Sequence, residues 1–116
     1  MPGKVTRGTV VDVNLDPTVG KEIQKTRPCV VIQNDIGNRY SSLTIVAPIW
    51  GAEHFNRPYP VMVLVKAGDG GTEKDSYVLC NQIRAVDETR LGKIYGKLSS
   101  PTMKQVDAAL RISLAL

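Results

Sequence analysis

Arg27 stands where a polar, basic stretch meets an apolar run. Residues 21–26 read K-E-I-Q-K-T and residues 29–32 read C-V-V-I. Pro28 fixes its own φ and biases the residue before it toward extended backbone, so Arg27 is presented at the start of a strand. A guanidinium held there offers a planar fork of donors that matches phosphate. Lys21 and Lys25 add positive charge in the flanking loop. An ordinary surface arginine at a strand edge would carry the same local signature. A second concentration of reactive types is residues 51–60, G-A-E-H-F-N-R-P-Y-P, which gather Glu53, His54, Phe55, Arg57 and Tyr59. His54 is the only histidine, and so the only side chain with an unperturbed pKa near neutrality.

The elements that must position these residues are mostly strands. Residues 9–14, T-V-V-D-V-N, are rich in β-branched types and form the first. Residues 27–33, 43–49, 61–65, 76–84 and 93–98 follow as further strands, separated by turn-rich stretches at 15–20, 34–39, 68–71 and 87–89. Pro48 cannot donate to a ladder, which points to an edge position or a bulge. The chain closes on a helix. Ser100 is placed to cap it, Pro101 suits its first position, and Met103, Val106, Leu110 and Leu114 recur as one apolar stripe. Short strands followed by one terminal helix predict a small, strongly bent antiparallel sheet or barrel.

A chain of 116 residues suits one domain spanning 1–116. The formal net charge of +4 permits nucleic acid as a partner without demanding it. Its placement says more: residues 90–116 carry Arg90, Lys93, Lys97, Lys104 and Arg111 against Asp107 alone, so the rest of the chain is balanced. Cys29 and Cys80 lie inside apolar runs and read as buried free thiols. One His and no Cys-x-x-Cys pair give no metal-binding pattern. The opening residues lack the apolar core of a signal peptide, and the longest aliphatic run, 61–65, is far too short to span a bilayer. The expectation is a cytoplasmic protein with no membrane partner.

Five stretches in order carry a family resemblance: R-G-T-V-V-D-V-N-L-D-P-T-V-G-K-E at 7–22, T-R-P-C-V-V-I-Q-N-D-I-G-N-R at 26–39, T-I-V-A-P-I at 44–49, D-S-Y-V-L-C-N-Q-I-R-A-V-D at 75–87, and G-K-L-S-S with V-D-A-A-L-R-I-S-L-A-L at the close. With these motifs the chain resembles the MazF/PemK toxins of bacterial toxin–antitoxin pairs over almost its whole length. The resemblance implies an SH3-like barrel acting as a homodimer and a metal-independent endoribonuclease that needs no cofactor. It implies cleavage of single-stranded RNA, usually messenger RNA, by attack of the 2′-hydroxyl on the neighbouring phosphate, leaving a 2′,3′-cyclic phosphate. It also implies a MazE-type antitoxin whose acidic tail lies along the dimer, with operator DNA bound only by the toxin–antitoxin complex.

On this resemblance Arg27 matches the catalytic arginine, and stabilisation of phosphorane charge is its simplest role. Lys21, Gln24 and Lys25 fall in the loop that covers RNA in relatives, and Asn81, Gln82 and Arg84 match the strand end lining the groove. Two positions depart from the family pattern. Where relatives carry a catalytic Thr or Ser after A-P-I, this chain has Trp50, with an N–H donor and no hydroxyl. Where relatives often carry an acid, it has Asn81, which cannot serve as a base at ordinary pH. Trp50 suits stacking of an unpaired base, though a hydrophobic plug or dimer contact is also open. His54 is a candidate for the missing proton transfer, or a bystander in its loop. Three functions follow from these residues: an endoribonuclease toxin, an RNA-binding co-repressor that has lost cleavage, and a poison of DNA gyrase as in a related barrel family. Arg27 and T-I-V-A-P-I favour the first over the third.

Overall fold

The computed structural model describes residues 5–116; residues 1–4, part of the N-terminal stretch read above, lie outside the described residues. Seven strands and two helices are arranged in chain order as β1 (Thr9–Asn14), β2 (Thr26–Val31), α1 (Asp35–Tyr40), β3 (Leu43–Gly51), β4 (Met62–Val65), β5 (Ser76–Leu79), β6 (Arg84–Asp87), β7 (Leu91–Lys97) and α2 (Ser100–Leu114). All strand pairs are antiparallel, in the order β4-β5-β3-β2-β1-β7, with β6 also on β3. This is the bent antiparallel sheet with a C-terminal helix expected from the sequence; its end strands, β4 and β7, do not pair with each other, so the ring is left open.

The period-2 alternation of the strands divides the core in two. Val10, Val30, Ala47, Ile49, Val63, Val65 and Val78 face one side, where Val106 and Ala109 of α2 cover them. Val11, Val13, Cys29, Val31, Val46 and Leu79 face the other, joined by Leu15 and Ile23 from the loop between β1 and β2. Both thiols are buried and free. Burial, and then the nearby Asp12 carboxylate, push Cys29 up to about 12 against a smaller opposing effect of Arg84; burial pushes Cys80 up to about 11.

Several local expectations are corrected. The stretch 34–39 is not a simple turn, because the Asn34 side chain accepts from the Gly37 N–H at 2.8 Å and caps helix α1. The strand expected over 76–84 is two strands, broken by a turn in which the Gln82 N–H reaches the Leu79 carbonyl at 3.1 Å. Pro48 is not on an edge strand. It lies in the short gap where β3 passes from β6, last paired at Val46↔Arg84, to β5, first paired at Ile49↔Val78, so on that side no ladder is interrupted. In α2 the cap is Ser99 rather than Ser100, Ala109 is buried, and Leu114 is half exposed rather than part of the buried stripe. The start of α2 is held from a distance: Asp69 accepts the Ser99 N–H at 2.8 Å, the Ser99 hydroxyl at 3.0 Å and the Thr102 hydroxyl at 2.6 Å.

Candidate active site

The register of β2 against β3 brings the first site together. Cys29 pairs with Pro48, and two residues further along the antiparallel pair Arg27 stands across from Trp50 on the same face. The guanidinium carbon lies 5.8 Å from the centre of the Trp50 ring. Arg27 Nε donates to the Gln24 carbonyl at 3.2 Å, which aims the fork. Its two η nitrogens make no hydrogen bond or ion pair among the described residues. A partly buried guanidinium with unspent donors and no carboxylate partner among the described residues has the chemistry to receive an anion.

Trp50 is not an open platform. His54, at the end of the 3-10 turn Ala52–His54, stacks on it with centroids 4.4 Å apart and planes 29° apart. Phe55 meets it edge-on at 5.9 Å, and Tyr77 meets Phe55 in the same way at 5.7 Å. Glu53, beside His54, forms an ion pair with Lys74, while its carboxylate lies 3.8 Å from the imidazole. The Lys74 contact, followed by a backbone N–H, holds the Glu53 carboxyl below the ordinary carboxylate range.

Arg27, Trp50, His54 and Lys74 border a cleft of about 260 Å³. Gly71, at the end of the turn Asp69–Gly71, also lines it, with Thr72 and Glu73 after it. Gly71 has φ +79°, and a Cβ there would collide with the Tyr95 carbonyl, so glycine permits the turn to lie against β7. Three hydroxyls line this cleft, and each donates within the fold: Ser76 to the Lys74 carbonyl at 3.0 Å, Thr72 to the Asp69 carbonyl at 2.8 Å, and Tyr95 to Asp12 at 2.9 Å.

The remaining predicted residues fall largely in a second, larger cleft of about 600 Å³, whose lining includes Lys21, Asn81, Gln82 and Arg84. Lys21 and Asn81 are exposed. Gln82 and Arg84 are struts as well as lining: Gln82 Oε1 accepts the Ile23 N–H at 2.9 Å, and Arg84 donates to the Leu15 carbonyl at 2.9 Å. They fix the loop between β1 and β2, whose Ile23 is buried in the second core. Gln24 and Lys25 are exposed and border neither cleft. Lys25 adopts φ +69°, with its N–H on Asp16 Oδ1 at 3.0 Å. On β3, Pro48 borders the larger cleft and Ile49 and Trp50 the smaller. Lys74 and Ser76 were missed from sequence. They reach the cleft through the pairing of Gly51 with Ser76, which no local motif announces. Among the described residues no cluster of His, Cys, Asp and Glu is arranged to hold a metal ion.

A family model described as a PemK-like, MazF-like toxin of type II toxin-antitoxin systems matches residues 6–114. This chain belongs to that family. It is 46% identical over 112 residues to the endoribonuclease EndoA of Bacillus subtilis (strain 168), covering 97% of this chain and 96% of the relative. In structure it is similar to a Deinococcus radiodurans MazF, with TM-score 0.83 and 22% identity over 98% of this chain and 99% of that one. It is also similar to a mycobacterial endoribonuclease solved in complex with its cognate antitoxin, with TM-score 0.79 and 22% identity over 97% and 96%. At that level of identity the structural likeness speaks to fold. The toxin family therefore has the open, bent sheet described above as its framework in this chain.

Proposed function

We propose that this protein is a single-domain endoribonuclease toxin that cleaves single-stranded RNA in the cytoplasm, with Arg27 as its principal electrostatic catalyst. The observation that carries the reading is the uncompensated Arg27 fork bordering the smaller cleft, in a chain 46% identical to a protein named as an endoribonuclease. The 2′-hydroxyl attacks the adjacent phosphorus, and the bond to the 5′-oxygen breaks. One proton leaves the attacking oxygen and one reaches the departing oxygen. The unspent η N–H groups donate to the non-bridging oxygens, where charge accumulates in the phosphorane. His54 shares the indole with Arg27 and is the candidate to carry the protons. Lys21, Asn81 and Arg84 line the path of the flanking RNA, and Trp50 contacts a base. A homodimer and an acidic antitoxin tail complete the assembly. They are inferred from the family and from the basic loops, and one relative is solved with its cognate antitoxin.

One observation favours a second reading, an RNA-binding relative with weak or lost cleavage. Trp50 stands opposite Arg27 where family members carry a hydroxyl, and every hydroxyl lining the cleft already donates elsewhere. Incubating the protein with a long RNA in EDTA separates the two. Discrete fragments ending in a 2′,3′-cyclic phosphate support the endoribonuclease; intact RNA with measurable binding supports the second reading. Intact RNA without binding overturns both.

A further inference from the structure

The Trp50–His54 stack has the geometry of a base on an aromatic platform, built from the chain's own residues. Two flat rings lie 4.4 Å apart and 29° from parallel. The imidazole is held by little else. Its side chain is 42% exposed, it makes no hydrogen bond among the described residues, and its ion-pair neighbour Glu53 at 3.8 Å is already paired with Lys74. The backbone beneath it is a three-residue 3-10 turn. Trp50, by contrast, is fixed in the sheet by its pairing with Tyr77 and by the edge of Phe55. The Arg27 guanidinium also lies 5.8 Å from the centre of this indole, so a base resting on Trp50 would have the free η nitrogens in its neighbourhood. The adjoining cleft, about 260 Å³, is large enough to take a nucleobase.

We propose that His54 is an internal stand-in for a nucleobase: one unpaired base of the RNA displaces the imidazole and takes its place on Trp50. This deepens the reading under Proposed function and rests on it. A purine or pyrimidine offers a larger π-face than imidazole, and base–aromatic stacking tolerates sequence because every base has such a face. Displacement also frees His54 from the indole at the moment the phosphate arrives, which is when a proton carrier is useful. The unliganded protein thus masks its own stacking surface. Removing the mask raises affinity, while removing the imidazole's chemistry slows cleavage.

The chain has one Trp and one His, so both partners are observable without substitution. The ring protons of His54, shielded by the indole, are expected upfield of free imidazole in the unliganded protein. They are expected to return toward free values on saturation with short random-sequence single-stranded RNA carrying 2′-fluoro sugars, which lacks the attacking hydroxyl. His54→Ala is expected to tighten binding of that RNA by about 2- to 10-fold, the fold-change equivalent of one aromatic pair, and to leave binding of the abasic backbone unchanged. His54 protons that stay upfield with RNA bound overturn the proposal. So does weaker binding by His54→Ala, which would make the imidazole an outer layer of the stack, and so does an equal gain for abasic RNA. Failure of the wild-type protein to bind either RNA removes the underlying reading itself and is distinct from these outcomes.

Discussion

Trp50→Thr removes the indole that stands across from Arg27, and its consequences for stability can be worked out before those for activity. The indole loses a stacked contact to His54 and an edge contact to Phe55, each worth about 0.5–1.5 kcal/mol beyond area burial. It also loses the Arg27 contact, worth about 0.5–1 kcal/mol at an exposed site. Truncating a fully buried Trp costs about 3–5 kcal/mol, and this ring is only partly buried, so a total of about 2–4 kcal/mol follows. For a chain of this length that is a fall in Tm of roughly 10 °C, at ~3–5 °C per kcal/mol. The first assay is therefore thermal unfolding by circular dichroism, and the second is RNA cleavage well below the variant's Tm. There the new hydroxyl, opposite Arg27, is expected to raise the rate by up to about 10²-fold if proton transfer limits the wild-type protein. A Tm within about 2 °C of wild type would refute the packing described for Trp50, since it implies a loss under 1 kcal/mol. An unchanged rate in a folded variant would refute the idea that the missing hydroxyl limits catalysis.

The remaining expectations are independent of one another. Asp69→Ala removes three hydrogen bonds at the start of α2 and is expected to cost about 2 kcal/mol in urea unfolding at neutral pH. Burial raises the Asp69 carboxyl, but the hydrogen bonds from Thr102 and Ser99 outweigh it and hold it below the ordinary range. Its contribution is thus complete above the unfolded value of about 3.9 and fades as pH falls through the folded one, so the cost of the substitution shrinks in acid. Cys29 and Cys80, pushed up to about 12 and about 11, are expected to resist thiol reagents at neutral pH until the protein unfolds, as followed by mass spectrometry. A peptide rich in Asp and Glu is expected to compete with RNA for the Lys21–Arg27–Arg84 face and to weaken with added salt; simultaneous binding without mutual effect would contradict the shared groove.

The strands were legible because β-branched alternation is a local signal, and the Arg27–Pro28 junction because proline acts on its neighbour. What escaped the sequence depends on distant partners. The handover of β3 from β6 to β5 cannot be read from Pro48 alone. Lys74 enters the site only through the pairing of β3 with β5, and Gln82 becomes a strut only once Ile23 is buried beside it. His54 and Trp50 are four residues apart in a segment with no helical pattern, yet a single 3-10 turn folds one ring onto the other. The Asn34 cap carries the same residue signature as a turn, since the same residue types serve both, so the sequence alone does not separate the two.

The central claim is that Arg27 is an unpaired guanidinium serving phosphorane charge. Its most direct test is the single-turnover cleavage rate of Arg27→Ala against wild type, in EDTA, on an RNA that the wild-type protein cuts. Loss of one preorganised donor predicts a fall of roughly 10²–10³-fold, with a fall in Tm of only about 5 °C, because the Nε bond to the Gln24 carbonyl and the Trp50 contact are lost while the η nitrogens hold nothing in the fold. Cleavage at the wild-type rate by a folded Arg27→Ala protein would contradict the account.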